Sequence, residues 1–94
     1  MIDRTKFATE TFPLTIDFTS ALPAAETVNT ATVTATDSLG VDASAALIGT
    51  TSVSTPRITA LIKATATGSY FITYTATTSP GAYKIVEQVQ LQVI

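Results

Sequence analysis

One stretch of the sequence decides the fold class: Ser69-Tyr70-Phe71-Ile72-Thr73-Tyr74-Thr75-Ala76-Thr77. Every second residue from Tyr70 to Ala76 is apolar, whereas the residues between them are mostly threonine. Because side chains alternate between the two faces of a β-strand, this period of two predicts a strand with one buried face and one solvated face. Threonine suits the solvated face, since its branched carbon favours extended backbone and its hydroxyl tolerates water.

Other stretches of the chain repeat this alternation. The run from Val28 to Thr36 places small apolar residues opposite a ladder of four threonines. Further strands are predicted around Leu14–Phe18, Ile58–Ala64 and Val89–Val93, with one or two short ones between Val41 and Thr55 and a bulge or edge position at Val86–Glu87. Turns are expected at Asp37–Gly40 and at Ser79–Gly81, and a connector with one helical turn at Thr19–Glu26. Six or seven strands without a long helix indicate a β-sandwich or a small barrel.

The position of Tyr70 favours the sandwich. It follows Gly68 near the start of the penultimate strand and stands two residues before the inward Ile72. This is the placement of the tyrosine corner in immunoglobulin-type sandwiches. An ordinary core tyrosine after a turn glycine explains the same pattern. The predicted fold is therefore an all-β, immunoglobulin-like antiparallel sandwich of six or seven strands.

Composition limits the chain to one domain and restricts its partners. The 94 residues are 46% hydrophobic and 13% charged, which predicts a single folded domain over residues 1–94. Residues 1–10 are a candidate flexible N-terminal arm. The net charge is −2 and the five basic residues are scattered, so no nucleic-acid partner is expected. No signal peptide, membrane span or cysteine occurs, which indicates synthesis in a reducing compartment.

The sequence offers little to catalysis. Without His or Cys, the commonest general base, transition-metal ligands and strongest nucleophile are missing. Asp17 and Glu26 flank one connector and are the one candidate for a catalytic acid/base pair of carboxylates, such as a glycosidase needs. The stretch from Asp37 to Asp42 places two carboxylates around a glycine, but it lacks the order of a calcium loop, and a plain turn is preferred. We predict no enzyme activity and no catalytic, cofactor or metal site.

Three residues are candidates for a partner surface. Phe71 falls on the outward face of its strand, and Tyr83 with Lys84 follows the Pro80-Gly81 turn. Aromatic residues are enriched in the cores of protein interfaces, so exposed ones would mark a contact. Packing of Phe71 beneath a loop is the alternative.

The pattern as a whole resembles a family of short bacteriophage and prophage virion proteins with an immunoglobulin-like fold, called fiber-tail adaptor or head–tail accessory proteins. The resemblance spans Leu14 to Val93. It rests on Ile16-Asp17-Phe18-Thr19 with Leu22, Glu26-Thr27-Val28, Ala31-Thr32-Val33-Thr34, Gly68-Ser69-Tyr70-Phe71-Ile72-Thr73, Thr77-Thr78-Ser79-Pro80-Gly81 and the ending through Val89, Leu91 and Val93.

The resemblance implies a structural part of a tailed-phage particle, made in the bacterial cytoplasm and present in the virion in several copies. Its expected partners are other virion proteins and further copies of the chain, with no nucleic acid, membrane or small-molecule substrate. The main alternative is an immunoglobulin-like binding or adhesion module, such as a carbohydrate-binding domain, of a larger bacterial surface protein.

Overall fold

The structure is a computed structural model that describes residues 2–94. It is 62% strand and 4% helix, which confirms the predicted all-β class. The elements are β1 (Ile2–Lys6), β2 (Phe12–Asp17), β3 (Thr27–Asp37), α1 (Ser44–Leu47), β4 (Ile48–Ser54), β5 (Arg57–Ile62), β6 (Gly68–Ser79) and β7 (Lys84–Val93).

Seven strands within residues 2–94 form two sheets. One sheet has the order β1-β7-β6-β3 and the other has the order β2-β5-β4. Strands β1 and β7 run parallel, whereas all other pairs are antiparallel. The two sheets bury their facing apolar side chains between them, because a sheet with one apolar face needs a second layer to cover it.

The core follows the alternation that the sequence predicts. In β6 the residues from Tyr70 to Ala76 on the apolar face are all buried. Facing them from the smaller sheet are buried aliphatic residues of β2 and β5, among them Leu14, Ile58 and Ile62. The prediction for β6, the longest strand, is confirmed.

The expected N-terminal arm at residues 1–10 is wrong for Ile2–Lys6, which pair with β7 as the strand β1. Lys6 lies opposite Val93 on the inner face and is only 1% exposed. Its aliphatic stem is covered, and its ammonium group donates hydrogen bonds to the carbonyl oxygens of Phe7 at 2.7 Å and Ala8 at 3.4 Å. These main-chain acceptors allow a lysine to be buried without a carboxylate partner.

The connecting segments agree only in part with the sequence-based expectation. Thr19–Glu26 forms turns and bends with no assigned helix, but the amide of Leu22 donates to the carbonyl oxygen of Phe18 at 3.0 Å, which is the hydrogen bond of one helical turn. Within residues 2–94 the one α-helical segment is α1, which lies in the region where the sequence signal was weakest. Two hydrogen bonds join the start of α1 to β3. The amide of Ala35 donates to Ser44 Oγ at 2.8 Å, and the amide of Ala43 donates to the carbonyl oxygen of Ala35 at 2.8 Å. This contact covers part of the outer edge of β3.

Candidate interaction surface

The solvated face of the four-stranded sheet carries an array of hydroxyl groups. Strands β3 and β6 are in antiparallel register, and their outward residues meet as the pairs Thr30–Thr77, Thr32–Thr75, Thr34–Thr73 and Thr36–Phe71. Neighbouring strands are about 4.8 Å apart and successive outward residues about 6.8 Å apart, so the threonines form a regular two-dimensional pattern.

Strands β7 and β1 continue this face with amide side chains. Gln88, Gln90 and Gln92 point outward from β7, and the parallel register sets Asp3 beside Gln90 and Thr5 beside Gln92. Ser69 Oγ donates a hydrogen bond to Gln92 Oε1 at 2.7 Å, which orients that amide. In the described part of the chain, the charged positions on this face are Asp3 on β1 and Lys84 at the start of β7, so the surface is polar and nearly uncharged.

A shallow pocket opens on this face between β1 and β7. It has a volume of about 260 Å³ and is lined by Asp3, Arg4, Thr5, Gln90 and Gln92. The Arg4 side chain belongs to the other face of β1, where its guanidinium carbon lies 4.8 Å from the centre of the Phe12 ring. The pocket therefore has one carboxylate, two amides and one hydroxyl as its outward side-chain groups.

Sequence reasoning missed this pocket. The alternating glutamines of β7 were visible in the sequence as one polar face. The other wall comes from Asp3 and Thr5, which the sequence assigned to a flexible arm. A polar strand of five residues, Ile2–Lys6, has no alternation that would identify it before its pairing with β7 is known.

The structure separates the three residues predicted to form a partner surface. Phe71 is half-buried on the outer face between Thr36 and Gln90. Tyr83 is 55% exposed beside the β6–β7 turn, next to the exposed Lys84. Lys84 pairs with Thr77, which lies about 20 Å along β6 from Phe71 at the usual rise per residue. The aromatic residues Phe71 and Tyr83 therefore belong to opposite ends of the sheet.

Two tyrosines of β6 use their hydroxyl groups inside the fold. Tyr70 donates a hydrogen bond to the carbonyl oxygen of Ala66 at 3.0 Å, which is the local contact that a tyrosine corner requires. Tyr74 donates to the carbonyl oxygen of Leu14 at 2.9 Å and thereby links β6 to β2 of the other sheet. Burial raises the pKa of the Tyr74 hydroxyl, so it stays protonated and remains a donor.

Asp17, one member of the carboxylate pair considered from the sequence, is bound to its neighbours at the end of β2. Its Oδ1 accepts hydrogen bonds from the Thr19 hydroxyl and from the Thr19 amide, and its Oδ2 lies 3.7 Å from Arg57 Nε. The hydrogen bonds from Thr19, and less strongly the Arg57 charge, lower the pKa of Asp17. The carboxylate is exposed and ionised, which suits a capping role.

Glu26, the other member, clamps the β6–β7 turn. Its Oε1 accepts hydrogen bonds from the Thr78 hydroxyl and from the Gly81 amide, both at 2.8 Å. The Thr78 oxygen in turn accepts from the amide of Tyr83 at 2.9 Å. These bonds connect the Glu26 carboxylate and the Thr78 hydroxyl in one polar network at the end of the sandwich. Thr78 is only 2% exposed, so the network satisfies a buried hydroxyl. Sequence reasoning placed Glu26 in a connector and gave no sign of its distant partners.

The stretch from Asp37 to Asp42 forms a tight turn after β3. Asp37 Oδ1 accepts hydrogen bonds from the amides of Leu39 at 2.9 Å and Val41 at 3.0 Å. Gly40 has a φ of 81°, a left-handed conformation that glycine adopts without a steric cost. Asp42 accepts from the amide of Ser44 at 2.9 Å. The two carboxylates therefore stabilise local backbone, and over residues 2–94 no group of three or more acidic, His or Cys side chains is placed to hold a metal ion.

Comparisons of the chain with protein-family models, with curated proteins and with solved structures give no match. In residues 2–94 no helix is long and apolar enough to cross a membrane. The functional proposals below therefore stand on the sequence and on the geometry of the described residues.

Proposed function

We propose that the two sheets form an immunoglobulin-like sandwich. In the constant type of that fold the third, sixth and seventh strands make one sheet, and the first, second, fourth and fifth make the other. Strands β3, β6 and β7 and strands β2, β5 and β4 have this distribution, whereas β1 departs from it and joins the larger sheet beside β7. The hydrogen bond from the Tyr70 hydroxyl to Ala66 supports the same assignment.

We further propose that the chain is a non-enzymatic structural and assembly protein of a tailed bacteriophage or prophage particle, such as a head–tail connector or a tail accessory protein. The observation that carries this proposal is the contact of Glu26 with Thr78 and Gly81. It joins two segments on which the resemblance to virion proteins rests, although 52 residues separate Glu26 from Thr78.

An exposed strand edge supports an assembly role. Among the described residues, β1 pairs with β7 from Val89 onward, so the part of β7 from Lys84 to Gln88 has β6 on one side and, within residues 2–94, an open edge on the other. Val86 on this segment is 56% exposed, and Tyr83 beside it is 55% exposed. An open edge presents unpaired N–H and C=O groups to an incoming strand, and it suits contact with another virion protein or a second copy.

Composition of purified particles is the direct test. Phage particles induced from the bacterium that carries the gene would be purified on a density gradient and analysed by quantitative mass spectrometry. We expect the chain in several copies per particle. Particles that contain the major capsid and tail proteins but lack this chain would contradict the proposal.

A solution measurement tests the edge itself. Light scattering over a wide range of concentrations is expected to give a discrete oligomer, which Val86→Lys dissociates because a charge would be buried at the contact. Thr32→Lys, on the same sheet face but on the opposite edge strand β3, is the matched control for pairing of β7 with the β7 of a second copy and should leave the mass unchanged. Equal masses for the wild type and both variants would exclude self-assembly through β7.

The second candidate function is an immunoglobulin-like binding or adhesion module of a bacterial surface protein. The polar pocket between β1 and β7 is the observation that favours it. Recovery of the chain in the cell-envelope fraction of uninduced bacteria, and not in particles, would favour this function over the virion role.

A further inference from the structure

The pocket on the outer face of the larger sheet has a defined geometry. Asp3 and Thr5 on β1 lie opposite Gln90 and Gln92 on β7. Because the two strands are about 4.8 Å apart and alternate residues about 6.8 Å apart, the four side chains stand at the corners of a small rectangle. Above them lies the pocket of about 260 Å³.

The side chains of the pocket suit a ligand that carries several hydroxyl groups. Carboxylates accept hydrogen bonds, primary amides both donate and accept, and threonine hydroxyls do either. Gln92 is held by Ser69, whose hydroxyl donates to Gln92 Oε1, so the amide nitrogen of Gln92 remains as a donor. Adjacent hydroxyls of a sugar ring offer matching pairs of donors and acceptors to such planar groups.

The charges around the pocket argue against an anionic ligand. The guanidinium group of Arg4 lies over the Phe12 ring and belongs to the other face of β1. Lys84 stands at the far corner of the sheet, where its ammonium group lies 3.4 Å from Thr77 Oγ1. Asp3 is then the one charged side chain at the rectangle, and it would repel a phosphate or a carboxylate.

An apolar surface adjoins the rectangle. Phe71 on β6 is the register partner of Gln90 and projects from the same face. It is half-buried, so part of the ring is open to solvent. The C–H face of a sugar ring packs on an aromatic ring, so a saccharide that extends beyond the pocket across Gln90 would contact the open part of Phe71.

We propose that the pocket formed by Asp3, Thr5, Gln90 and Gln92 binds a neutral saccharide that extends across Gln90 toward Phe71. The inference does not depend on the virion role, since a particle protein and a surface module can both contact a glycan. The chain binds the saccharide and does not catalyse a reaction of it. A shallow site with few side chains gives a weak complex, with a dissociation constant on the order of 1 mM per site.

The test is a titration of the 15N-labelled protein followed by two-dimensional NMR. The probes are cellobiose, maltose, lactose and chitobiose, with inorganic phosphate and choline as anionic and cationic comparisons. We expect at least one disaccharide to shift the amide signals of Gln90 and Gln92 in a saturable way. Gln90→Ala should weaken this binding at least tenfold, and Thr32→Ala, outside the pocket on the same face, should leave it unchanged.

Asp3→Asn separates a neutral ligand from a cationic one. Asparagine keeps an acceptor oxygen, so saccharide binding should fall by less than tenfold, whereas binding of a cation that depends on the negative charge should be lost. Saturable shifts with choline alone, abolished by Asp3→Asn, would overturn the proposal. Linear, non-saturating shifts with every disaccharide would overturn it as well, because the NMR spectrum itself reports that the protein is folded.

Discussion

Replacing Tyr74 by Phe removes one oxygen atom from the centre of the sandwich. The Tyr74 side chain is 0% exposed, and its hydroxyl donates to the Leu14 carbonyl at 2.9 Å across the two sheets. Phenylalanine fills nearly the same space, so the carbon packing survives while the carbonyl loses this donor. Tyr70→Phe is the matched control, because it removes a hydroxyl whose hydrogen bond is only partly buried and has a local acceptor, Ala66.

The expected costs follow from the burial of each bond. Leaving a buried polar group without its partner costs roughly 1–3 kcal/mol, and a typical hydrogen bond contributes about 1 kcal/mol. We expect about 2 kcal/mol for Tyr74→Phe and about 1 kcal/mol for Tyr70→Phe. In a domain of this size each kcal/mol lowers the melting temperature by roughly 4–8 °C, so Tyr74→Phe should lower it by about 8–16 °C.

Urea unfolding followed by far-ultraviolet circular dichroism gives these free energies. The chain has no Trp, so tyrosine fluorescence is a second probe only for variants that keep the same tyrosines. The slope of the unfolding free energy against urea should be the same for all three proteins, since the buried surface is unchanged. The reasoning is refuted if Tyr74→Phe unfolds within about 0.5 kcal/mol of the wild type, half the value of an ordinary bond. A larger cost for Tyr70→Phe than for Tyr74→Phe would refute the ranking.

Three further predictions concern the ends of the strands. Glu26→Ala should lower the free energy of unfolding by about 2–3 kcal/mol because it removes two charge-assisted bonds, and Glu26→Gln, which keeps an acceptor oxygen, should recover part of that loss in the same urea experiment. Gly81→Ala should cost about 1–3 kcal/mol, since an added Cβ would overlap the Tyr83 ring and come within 2.7 Å of Glu26 Oε1; a neutral result would mean that the turn relaxes freely. Asp17 should titrate below the ordinary aspartate range in an NMR pH titration, and Thr19→Val should raise its pKa toward that range. Because the folded pKa is lowered, the stabilising effect of this carboxylate is fully present above about pH 4 and is lost as the pH falls through the lowered pKa; identical titration curves in wild type and Thr19→Val would contradict the assignment.

Local alternation predicted the strands whose side chains sort cleanly between core and water. Strands β6 and β3 are of this kind. At Val86–Glu87 the sequence indicated a bulge or an edge, and the structure has the edge: pairing with β6 runs through both residues, while β1 reaches only to Val89. Leu61, the apolar residue out of phase in β5, lies over Gly49, where an added Cβ would come within 3.1 Å of its side chain. The space that Gly49 leaves for the Leu61 side chain cannot be predicted from the alternation of polar and apolar residues.

The missed features depend on partners far away in the sequence. Strand β1 is identified by its pairing with β7 and not by its own residues. The burial of Lys6 depends on carbonyl groups at Phe7 and Ala8 that the fold turns toward its ammonium group. Glu26 accepts its hydrogen bonds from Thr78 and Gly81, and these form only when the fold brings the β6–β7 turn to the Glu26 carboxylate. Local propensity cannot encode such contacts, and for the same reason the pocket beside Asp3 was not predicted.

The parallel pairing of β1 with β7 has a mechanical consequence. Ile2 lies beside Val89 and Lys6 beside Val93, so a load applied between Ile2 and Ile94 acts along both strands in opposite directions. The ladder between them is then sheared, and its hydrogen bonds share the load instead of breaking one after another. Antiparallel strands joined by a turn and pulled at their open ends would separate pair by pair. A domain built in this way resists tension along its long axis, which measures 41 Å against 23 and 21 Å for the other two.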